Sequence, residues 1–431
     1  FSPNAEEATY NITGNFMAGR WTAIADALFD LHNAETRAKT NGQDFYVGIT
    51  TIMKAHLFQN LVDLYGNVPY SEAFDMDTYS TPRYDKGEDI YADLQVKLDS
   101  AISIMKRATV PANAATIDIV FKGNANLWVQ LANTLKLRLL IRQTEINPTP
   151  TAELVKIKAN GGVLQTGQTA AAQPGYIKDN NKQSPFFNSF GLTVAGGQAN
   201  DFNRANAYMI NLLSSSEDPR LSRFYKPAIS PVSASVPYVG TVYGAPPNDL
   251  FNGNRTSNIG PGLAASPEQP AWIVTSVESM FLQAEAVARG WDIGGPYTSA
   301  EEAYEAAVQE SFIWVKVGAS NAASVAAANT YMENYARANW QNAGTSMSGQ
   351  VRFIVFQKYL ALNGINALEA WNDYRRLGIP EDVPISIRPD KVSNTLPVRL
   401  LYPTTEYAVN GENANAQGSI NPFSSTLFWD K

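Results

Sequence analysis

The segment Gln283-Ala284-Glu285-Ala286-Val287-Ala288-Arg289-Gly290, followed by Ala303-Tyr304-Glu305-Ala306-Ala307, gives the strongest indication of the fold. Its small residues would let two antiparallel helices pack closely, as in tetratricopeptide repeats. No alternation of strands and helices accompanies it, which argues against a doubly wound sheet. The sequence around this segment therefore predicts a mainly helical protein built from helix pairs.

Apolar residues at three- and four-residue spacings predict further helices on both sides of this segment. The starts at Val47, Glu88 and Asn124 are separated by roughly 35–40 residues, close to the ~34 of a tetratricopeptide repeat. Thr149-Pro150 resembles a cap followed by proline in the first turn, and Thr298 with Glu301 resembles a capping box. The predicted helices are 47–65, 88–105, 124–142, a helix from Thr149 to Gly161, 272–289, 298–317, 322–340, 351–363 and 367–377.

The middle of the chain, from about Gly167 to Pro270, has a different character, since it is rich in Gly, Pro, Asn and Ser. Only Arg204 to Leu213 follows a helical pattern there. Loops this long are usually functional or disordered, and the many aromatic residues argue against disorder. The tail from Ile385 to Lys431 is predicted to be extended and loop-like.

Composition excludes several functions. The chain has 431 residues, a net charge of −7, no block of basic residues and no cysteine. Nucleic acid is therefore a poor partner, and disulfides, thiolate zinc sites and cysteine nucleophiles are absent. No apolar run approaches the roughly 20 residues that span a membrane. The opening Phe1-Ser2-Pro3 resembles a trimmed start, and a targeting segment before it stays open.

The sequence predicts no catalytic residue, metal site or cofactor. Its only histidines, His32 and His56, are interpreted as structural, and no His-Glu-x-x-His, nucleophile elbow or phosphate loop is present. Asp75 and Asp77 begin like a calcium loop, but the later ligands of such a loop are missing. Paired carboxylates remain open, because a chain with 40 acidic residues always contains some pair. Glu278 and Glu285 are expected to face solvent or a neighbouring helix.

The aromatic residues of the irregular middle are the better candidates for ligand binding. Exposed rings stack on sugar rings, while Asn, Asp and Arg bond sugar hydroxyls. Rings at helical spacing, such as Trp128, Phe281, Trp314 and Trp371, are assigned to the core instead. The alternative for the loop rings is a loop packed by its own side chains. The predicted ligand-binding residues are Tyr238, Tyr243, Phe251 and Arg255, with Phe187 and Trp272 nearby.

Four segments, in one order along the chain, resemble those of SusD/RagB-like nutrient-binding lipoproteins. They are Leu64-Tyr65-Gly66-Asn67-Val68-Pro69-Tyr70-Ser71-Glu72-Ala73, the helix Ser279–Ala286, the element Ala367–Arg376, and the tail Pro397-Val398-Arg399-Leu400-Leu401-Tyr402-Pro403 with Glu406 and Asn410. Each segment alone is a weak indication, whereas the four together are specific. Their residues suit structural roles: Gly66 and Pro69 set a sharp helix exit, and Arg375 and Arg376 fit a helix C-terminus.

The resemblance implies a mainly α fold, with tetratricopeptide-like helix pairs forming a right-handed superhelical scaffold beside an irregular, loop-rich ligand-binding part. It also implies a cell-surface lipoprotein of the outer membrane, anchored through an N-terminal cysteine that this chain lacks. Its partner would be a TonB-dependent SusC-like barrel, and its ligand a glycan or oligosaccharide, or a peptide as in some members. A helical glycoside hydrolase and a soluble periplasmic solute-binding protein remain alternatives.

A single SusD-like domain over residues 1–431 is expected. Within it the helical scaffold would cover about 8–165 and 272–380, the irregular ligand-binding part about 166–271, and an extended C-terminal segment 381–431.

Overall fold

The computed structural model describes residues 5–246 and 252–430. The chain divides into two compact units. The central unit comprises Phe1–Ala8 and Leu164–Asp390, and the terminal unit comprises Thr9–Val163 and Lys391–Lys431. Phe251, one of the predicted ligand contacts, lies outside the described residues.

Helices dominate the described residues, and the four strands are short. Before residue 164 the elements are α1 Ala5–Thr9, α2 Ala18–Thr40, α3 Asp44–Tyr65, β1 Val68–Pro69, β2 Tyr84–Asp85, α4 Gly87–Arg107, α5 Ala114–Ile117, α6 Ala125–Arg142 and α7 Thr151–Ala159. The next are β3 Ala170–Ala172, α8 Pro185–Phe190, α9 Ala207–Ser215, α10 Leu221–Phe224, β4 Ala271–Val274, α11 Ser276–Ala288, α12 Ala300–Trp314, α13 Asn321–Asn334, α14 Met347–Ala361 and α15 Ala367–Leu377. The tail holds α16 Thr404–Val409 and α17 Gly411–Asn415.

Helices that follow one another along the chain pack together in each unit. In the terminal unit α2 packs on α3, α3 on α4, and α4 on α6. In the central unit α11 packs on α12 and α14, and α12 on α13. The prediction of a mainly helical chain of helix pairs is confirmed. None of the described helices is long and apolar enough to cross a membrane.

The first and last of the four sequence segments meet in the terminal unit. The Leu400 amide donates to the Leu64 carbonyl at 2.9 Å, and the Tyr402 hydroxyl donates to the Asn67 carbonyl at 2.6 Å. Gly66, at φ +79°, turns the chain at the end of α3, where a Cβ would lie 3.2 Å from the Arg399 guanidinium. A positive φ and a close neighbour both favour glycine here. These residues therefore fix the tail against α3.

The other two segments meet in the central unit. Glu285 on α11 and Arg376 on α15 form a bidentate ion pair at 2.6 and 2.8 Å, and both side chains are almost fully buried. Arg289 binds the same carboxylate at 2.7 Å, and Asp373 binds Arg376 at 2.9 Å. Glu285 thus faces a neighbouring helix, one of the two alternatives predicted for it, whereas Glu278 is fully buried and bonds Asn366 at 3.1 Å.

Several predicted boundaries are corrected. The α12 cap is Ser299, whose hydroxyl accepts from the Glu302 amide at 3.2 Å, one residue beyond the Thr298–Glu301 pair. Glu302 in turn accepts from the Thr298 amide at 3.0 Å, so the reciprocal pattern exists with a shifted register. Trp272 belongs to strand β4, which pairs antiparallel with β3, and not to the following helix, which begins after the Thr275 cap.

The irregular middle contains more local structure than the sequence predicts. Besides α9, near the predicted Arg204–Leu213, it holds the short helices α8 and α10 and the strand β3. The tail likewise holds α16 and α17, where extended chain was predicted. Apart from α9, all these elements have six residues or fewer. Elements of that length are too short for apolar periodicity to identify.

Candidate functional site

The short helix α8 positions the first aromatic residues of the candidate site. Pro185 occupies its first turn, where a missing backbone donor costs nothing, and the Ser184 amide donates to the Pro267 carbonyl at 2.7 Å. Phe186 and Phe190, four residues apart, share one face of the helix, and their rings lie 5.0 Å apart. Both rings are half-buried and keep part of their surface in contact with solvent.

Phe187, the next residue of α8, is buried, with 8% of its surface exposed. Its ring packs so closely on Gly191 that a Cβ there would come within 2.7 Å of it. Gly191 therefore has to lack a side chain for Phe187 to fill the core. The rings of α8 that keep exposed surface are therefore Phe186 and Phe190, one and three positions from the predicted Phe187.

Trp272 extends this face from strand β4. Its ring lies 4.9 Å from that of Phe186 and 4.7 Å from that of Trp314, the last residue of α12. These separations suit favourable tilted and edge-to-face ring pairs. We call Phe186, Phe190, Trp272 and Trp314 the aromatic cluster. All four rings are half-buried, and three of them pack against the core that also contains Phe224 and Leu263.

The aromatic cluster offers a rigid, partly exposed apolar surface. Each ring is fixed by a neighbouring ring or by the core, so a ligand would not have to order loose side chains when it binds. A sugar ring carries an apolar face of C–H groups that stacks on such aromatic surfaces, while its hydroxyls need hydrogen-bonding partners. The arrangement therefore suits the capture of a saccharide.

Tyr238 packs against the same core as Trp272. Its neighbours hold it in place, because the Pro237 carbonyl accepts from Ala228 at 2.8 Å and the Val239 carbonyl accepts from Ser257 at 2.8 Å. Partial burial raises the pKa of the Tyr238 phenol above its usual 10. The hydroxyl therefore stays protonated at neutral pH and can both donate and accept a hydrogen bond.

Arg255 is half-buried and follows a turn fixed by Asn252, whose side-chain oxygen accepts from the Arg255 amide at 3.2 Å. No carboxylate within the described parts of the chain forms an ion pair with its guanidinium. The assignment of Arg255 as a ligand contact stays a prediction.

Tyr243 is engaged elsewhere. Its hydroxyl donates to the Glu7 carbonyl in α1 at 2.7 Å, and its own carbonyl accepts from the Ile387 amide at 3.0 Å. Of the six predicted contacts, the structure brings Trp272 and Tyr238 to one core, buries Phe187, and ties Tyr243 to α1. Sequence reasoning missed Phe186 as a candidate and assigned Trp314 to the core.

The acidic and histidine side chains that might suggest catalysis have structural partners. Nδ1 of His56 lies 3.2 Å from the Arg138 guanidinium, and the ring of His32 stacks on Phe74 at 5.1 Å. Asp75 accepts from the Thr78 amide at 3.2 Å, so it closes a turn. Within residues 5–246 and 252–430, no group of three His, Cys, Asp or Glu side chains is arranged to hold a metal ion.

Comparison with known proteins now decides the family. Residues 1–403 match the SusD-like family described as "Starch-binding associating with outer membrane". The chain belongs to the SusD-like family. Members of this family bind nutrients such as glycans in association with the outer membrane. No curated protein sequence matches the chain.

Solved structures of SusD-like proteins share the fold. A SusD homologue from Bacteroides vulgatus is 21% identical, with a TM-score of 0.79 over 99% of this chain and 87% of that one. A SusD homologue from Bacteroides fragilis is 22% identical, with a TM-score of 0.78 over 100% and 92%. A protein named as chitin-binding is 24% identical, with a TM-score of 0.75 over 96% and 88%. These likenesses confirm the predicted SusD-like helical fold.

Proposed function

We propose that this SusD-like protein captures a glycan or oligosaccharide at the cell surface without altering it and delivers it to a TonB-dependent SusC-like barrel in the outer membrane. The observation that carries the proposal is the aromatic cluster, a preorganised and partly exposed set of rings in a chain whose family binds nutrients at that membrane. A lipid on an N-terminal cysteine preceding this sequence would hold the protein at the surface.

The aromatic cluster would bind the apolar face of one or two sugar rings. Trp272 would make the largest contact, and the Tyr238 hydroxyl and the Arg255 guanidinium would bond ligand hydroxyls. Stacking on an aromatic ring contributes on the order of 1 kcal/mol per pair, so the expected affinity is modest. Modest affinity suits a protein that has to release its ligand to a transporter. In this arrangement residues 166–271 supply Phe186, Phe190, Tyr238 and Arg255, and residues 272–380 supply Trp272 and Trp314.

The state of Glu278 and Glu285 fits a binding role better than a hydrolase that would use this pair. A glycosidase needs an acid whose pKa is raised and which reaches the scissile bond, beside a second carboxylate. Burial alone would raise the pKa of Glu285, but the guanidinium groups of Arg376 and Arg289 lower it to about 2. Glu278 is fully buried and bonds Asn366. Both side chains of this pair therefore stabilise the helices of the scaffold.

Binding to an array of purified polysaccharides tests the proposal. Starch and chitin belong on the array, because the family description names starch binding and one structural relative is named as chitin-binding. We expect the purified protein to retain at least one glycan and to release no reducing sugar from it during prolonged incubation. Release of reducing sugar would contradict the non-enzymatic role, and failure to retain any glycan would contradict saccharide capture.

A further inference from the structure

A groove of about 760 Å³ lies in the central unit, beside helix α14 and apart from the residues of the aromatic cluster. This volume lies within the range of small-molecule binding sites. The lining residues are two aromatic rings, four charged side chains and small or apolar neighbours, among them Phe353, Phe356, Arg337, Arg352, Glu381 and Asp382.

The floor of the groove is aromatic and fixed in place. Phe353 is half-buried, and its ring lies 6.1 Å from that of Trp340 and 5.5 Å from that of Tyr304. Phe356 is buried, and the Arg337 guanidinium stacks over its ring at 3.7 Å. A guanidinium stacked in this way keeps its N–H groups directed outward around its edge, where they can bond a ligand.

Two of the four charged groups neutralise each other. Arg352 forms an ion pair with Glu381 and also donates to the Leu377 carbonyl at 3.4 Å. Asp382 accepts from the Tyr208 hydroxyl at 2.7 Å. Burial, and then the bond to Asp382, raise the pKa of Tyr208, so its phenol remains a donor across the physiological range.

The other two charges are left with unused hydrogen-bonding capacity. Among the residues that the structure describes, no carboxylate pairs with Arg337, although the Tyr335 phenol lies close to it. No cation of the described chain pairs with Asp382. The groove therefore presents outward-facing donors and an acceptor around one aromatic floor, with side-chain charges that sum to zero.

We propose that this groove is a second saccharide-binding site, which takes a neutral oligosaccharide. One sugar ring would stack on Phe353, a hydroxyl would accept from Arg337, and another would donate to Asp382. The proposal rests on the proposed function for its class of ligand, and it adds a site that the aromatic cluster does not include.

The balance of charge and the local structure favour a neutral oligosaccharide over an acidic saccharide and over an extended peptide. An acidic saccharide would gain one ion pair with Arg337 but would bring its other carboxylates close to Glu381 and Asp382, where like charges repel. An extended peptide captured by strand addition needs the free edge of a strand, and the groove is bordered by helices and turns within the described elements. A hydroxyl-rich neutral chain uses the donors and the acceptor without either penalty.

Two sites on one chain also have a consequence for affinity. The floor residue Phe356 belongs to the same core as Trp272 of the aromatic cluster. A glycan long enough to engage both sites gains affinity without any new type of contact. We therefore expect affinity to rise with the length of the oligosaccharide, and this rise to disappear when either site is removed.

The test compares Arg337→Ala, Asp382→Asn and Trp272→Ala with wild type on an array of neutral polysaccharides, polygalacturonate and a peptide mixture. Titration calorimetry then follows, with a length series of oligosaccharides from each glycan that wild type retains. Arg37→Ala is the matched control, because Arg37 is an exposed arginine in the last turn of α2 and lies outside the groove. Circular dichroism and the thermal midpoint verify that each variant folds.

We expect Arg337→Ala and Asp382→Asn each to reduce affinity for a long neutral glycan at least 5-fold, while Arg37→Ala leaves it unchanged. Unchanged affinity in both groove variants, with loss in Trp272→Ala, would overturn the groove and leave the proposed function standing. Loss in the groove variants alone would support the groove and contradict the aromatic cluster. Groove-dependent binding only of polygalacturonate or peptide would overturn the assigned ligand class. Wild type retaining no glycan would contradict the proposed function and the groove with it.

Discussion

The guanidinium of Arg376 on α15 donates two hydrogen bonds, 2.6 and 2.8 Å long, to the carboxylate of Glu285 on α11, and both side chains are buried. The two residues are separated by 91 positions and belong to two of the four segments that resemble SusD-like proteins. Arg289 at the end of α11 and Asp373 on α15 belong to the same group, and Lys358 on α14 pairs with Asp373 at 2.8 Å. The ion pair therefore links two helices of the central unit, and with them two of the four segments.

Removal of one partner from this pair should destabilise the protein. We expect Glu285→Gln to lower the free energy of unfolding by about 3–5 kcal/mol, because it leaves the buried guanidinium groups of Arg376 and Arg289 with only Asp373 as a counter-charge. Urea denaturation followed by circular dichroism measures the change. Arg388→Ala is the matched control, since it breaks an arginine–aspartate pair of similar length, 2.8 Å to Asp390, on the surface. The control should leave the denaturation midpoint almost unchanged. Equal effects of the two substitutions would show that the buried pair is not a special source of stability.

The same pair predicts a dependence on pH. Folding lowers the pKa of Glu285 from its ordinary 4.5 to about 2, so the folded protein binds fewer protons than the unfolded chain between these values. The stability that Glu285 contributes is complete above pH 4.5 and is lost as the pH falls toward 2. We expect the difference in unfolding free energy between wild type and Glu285→Gln to narrow over this interval. A difference that stays constant from pH 6 to pH 3 would contradict the lowered pKa.

Trp272 should dominate binding to the aromatic cluster. We expect Trp272→Ala to weaken affinity for the captured glycan about 10-fold or more, because it removes the ring that contacts both Phe186 and Trp314. Calorimetric titration with that glycan measures the effect. Tyr407→Ala, which removes an exposed ring from α16 in the terminal unit, is the control and should bind as wild type does. If Trp272→Ala binds the glycan with wild-type affinity, the aromatic cluster is not the binding site.

Two substitutions of Tyr243 distinguish a role in ligand binding from a role in holding the structure together. The sequence-based assignment predicts that Tyr243→Ala weakens binding and leaves the protein folded, because it removes a half-buried ring of the kind that stacks on sugars. Tyr243→Phe keeps the ring and removes only the hydroxyl bond to the Glu7 carbonyl, so it should bind like wild type. If both variants bind normally, Tyr243 serves to hold α1, and the sequence-based assignment of this residue is wrong. Thermal melting of both variants checks that the fold is retained.

Much of the helical scaffold could be predicted, because helix periodicity and capping residues are local properties of the sequence. The apolar spacing around Leu57 and Leu61 identifies α3, and Gly66 marks its end. Local patterns place a boundary only to within a residue or two, however. Thr298 and Ser299 are equally good caps by type, and packing of α12 selects Ser299. Trp272 fits both the end of a strand and the start of a helix, and pairing with Ala171, about 100 residues earlier, decides for the strand.

The candidate site could be predicted only in outline. Loop aromatics were recognised by composition, but which ring stays exposed depends on contacts distant in sequence. Phe186 and Phe187 are neighbours of the same type, and the start of α8 at Pro185 turns one toward Trp272 and the other into the core. Trp314 has helical spacing typical of a core residue, yet it is only half-buried beside Trp272. The bond from Tyr243 to Glu7 joins residues 236 positions apart, beyond any local pattern.

The most direct test of the central claim is to purify the full-length native protein from mildly solubilised outer membranes and identify what accompanies it. The account predicts a large TonB-dependent barrel recovered in near-equal amount, as required of a protein that delivers its ligand to a transporter. Recovery of the protein alone, or from the soluble periplasm, would contradict delivery to such a barrel.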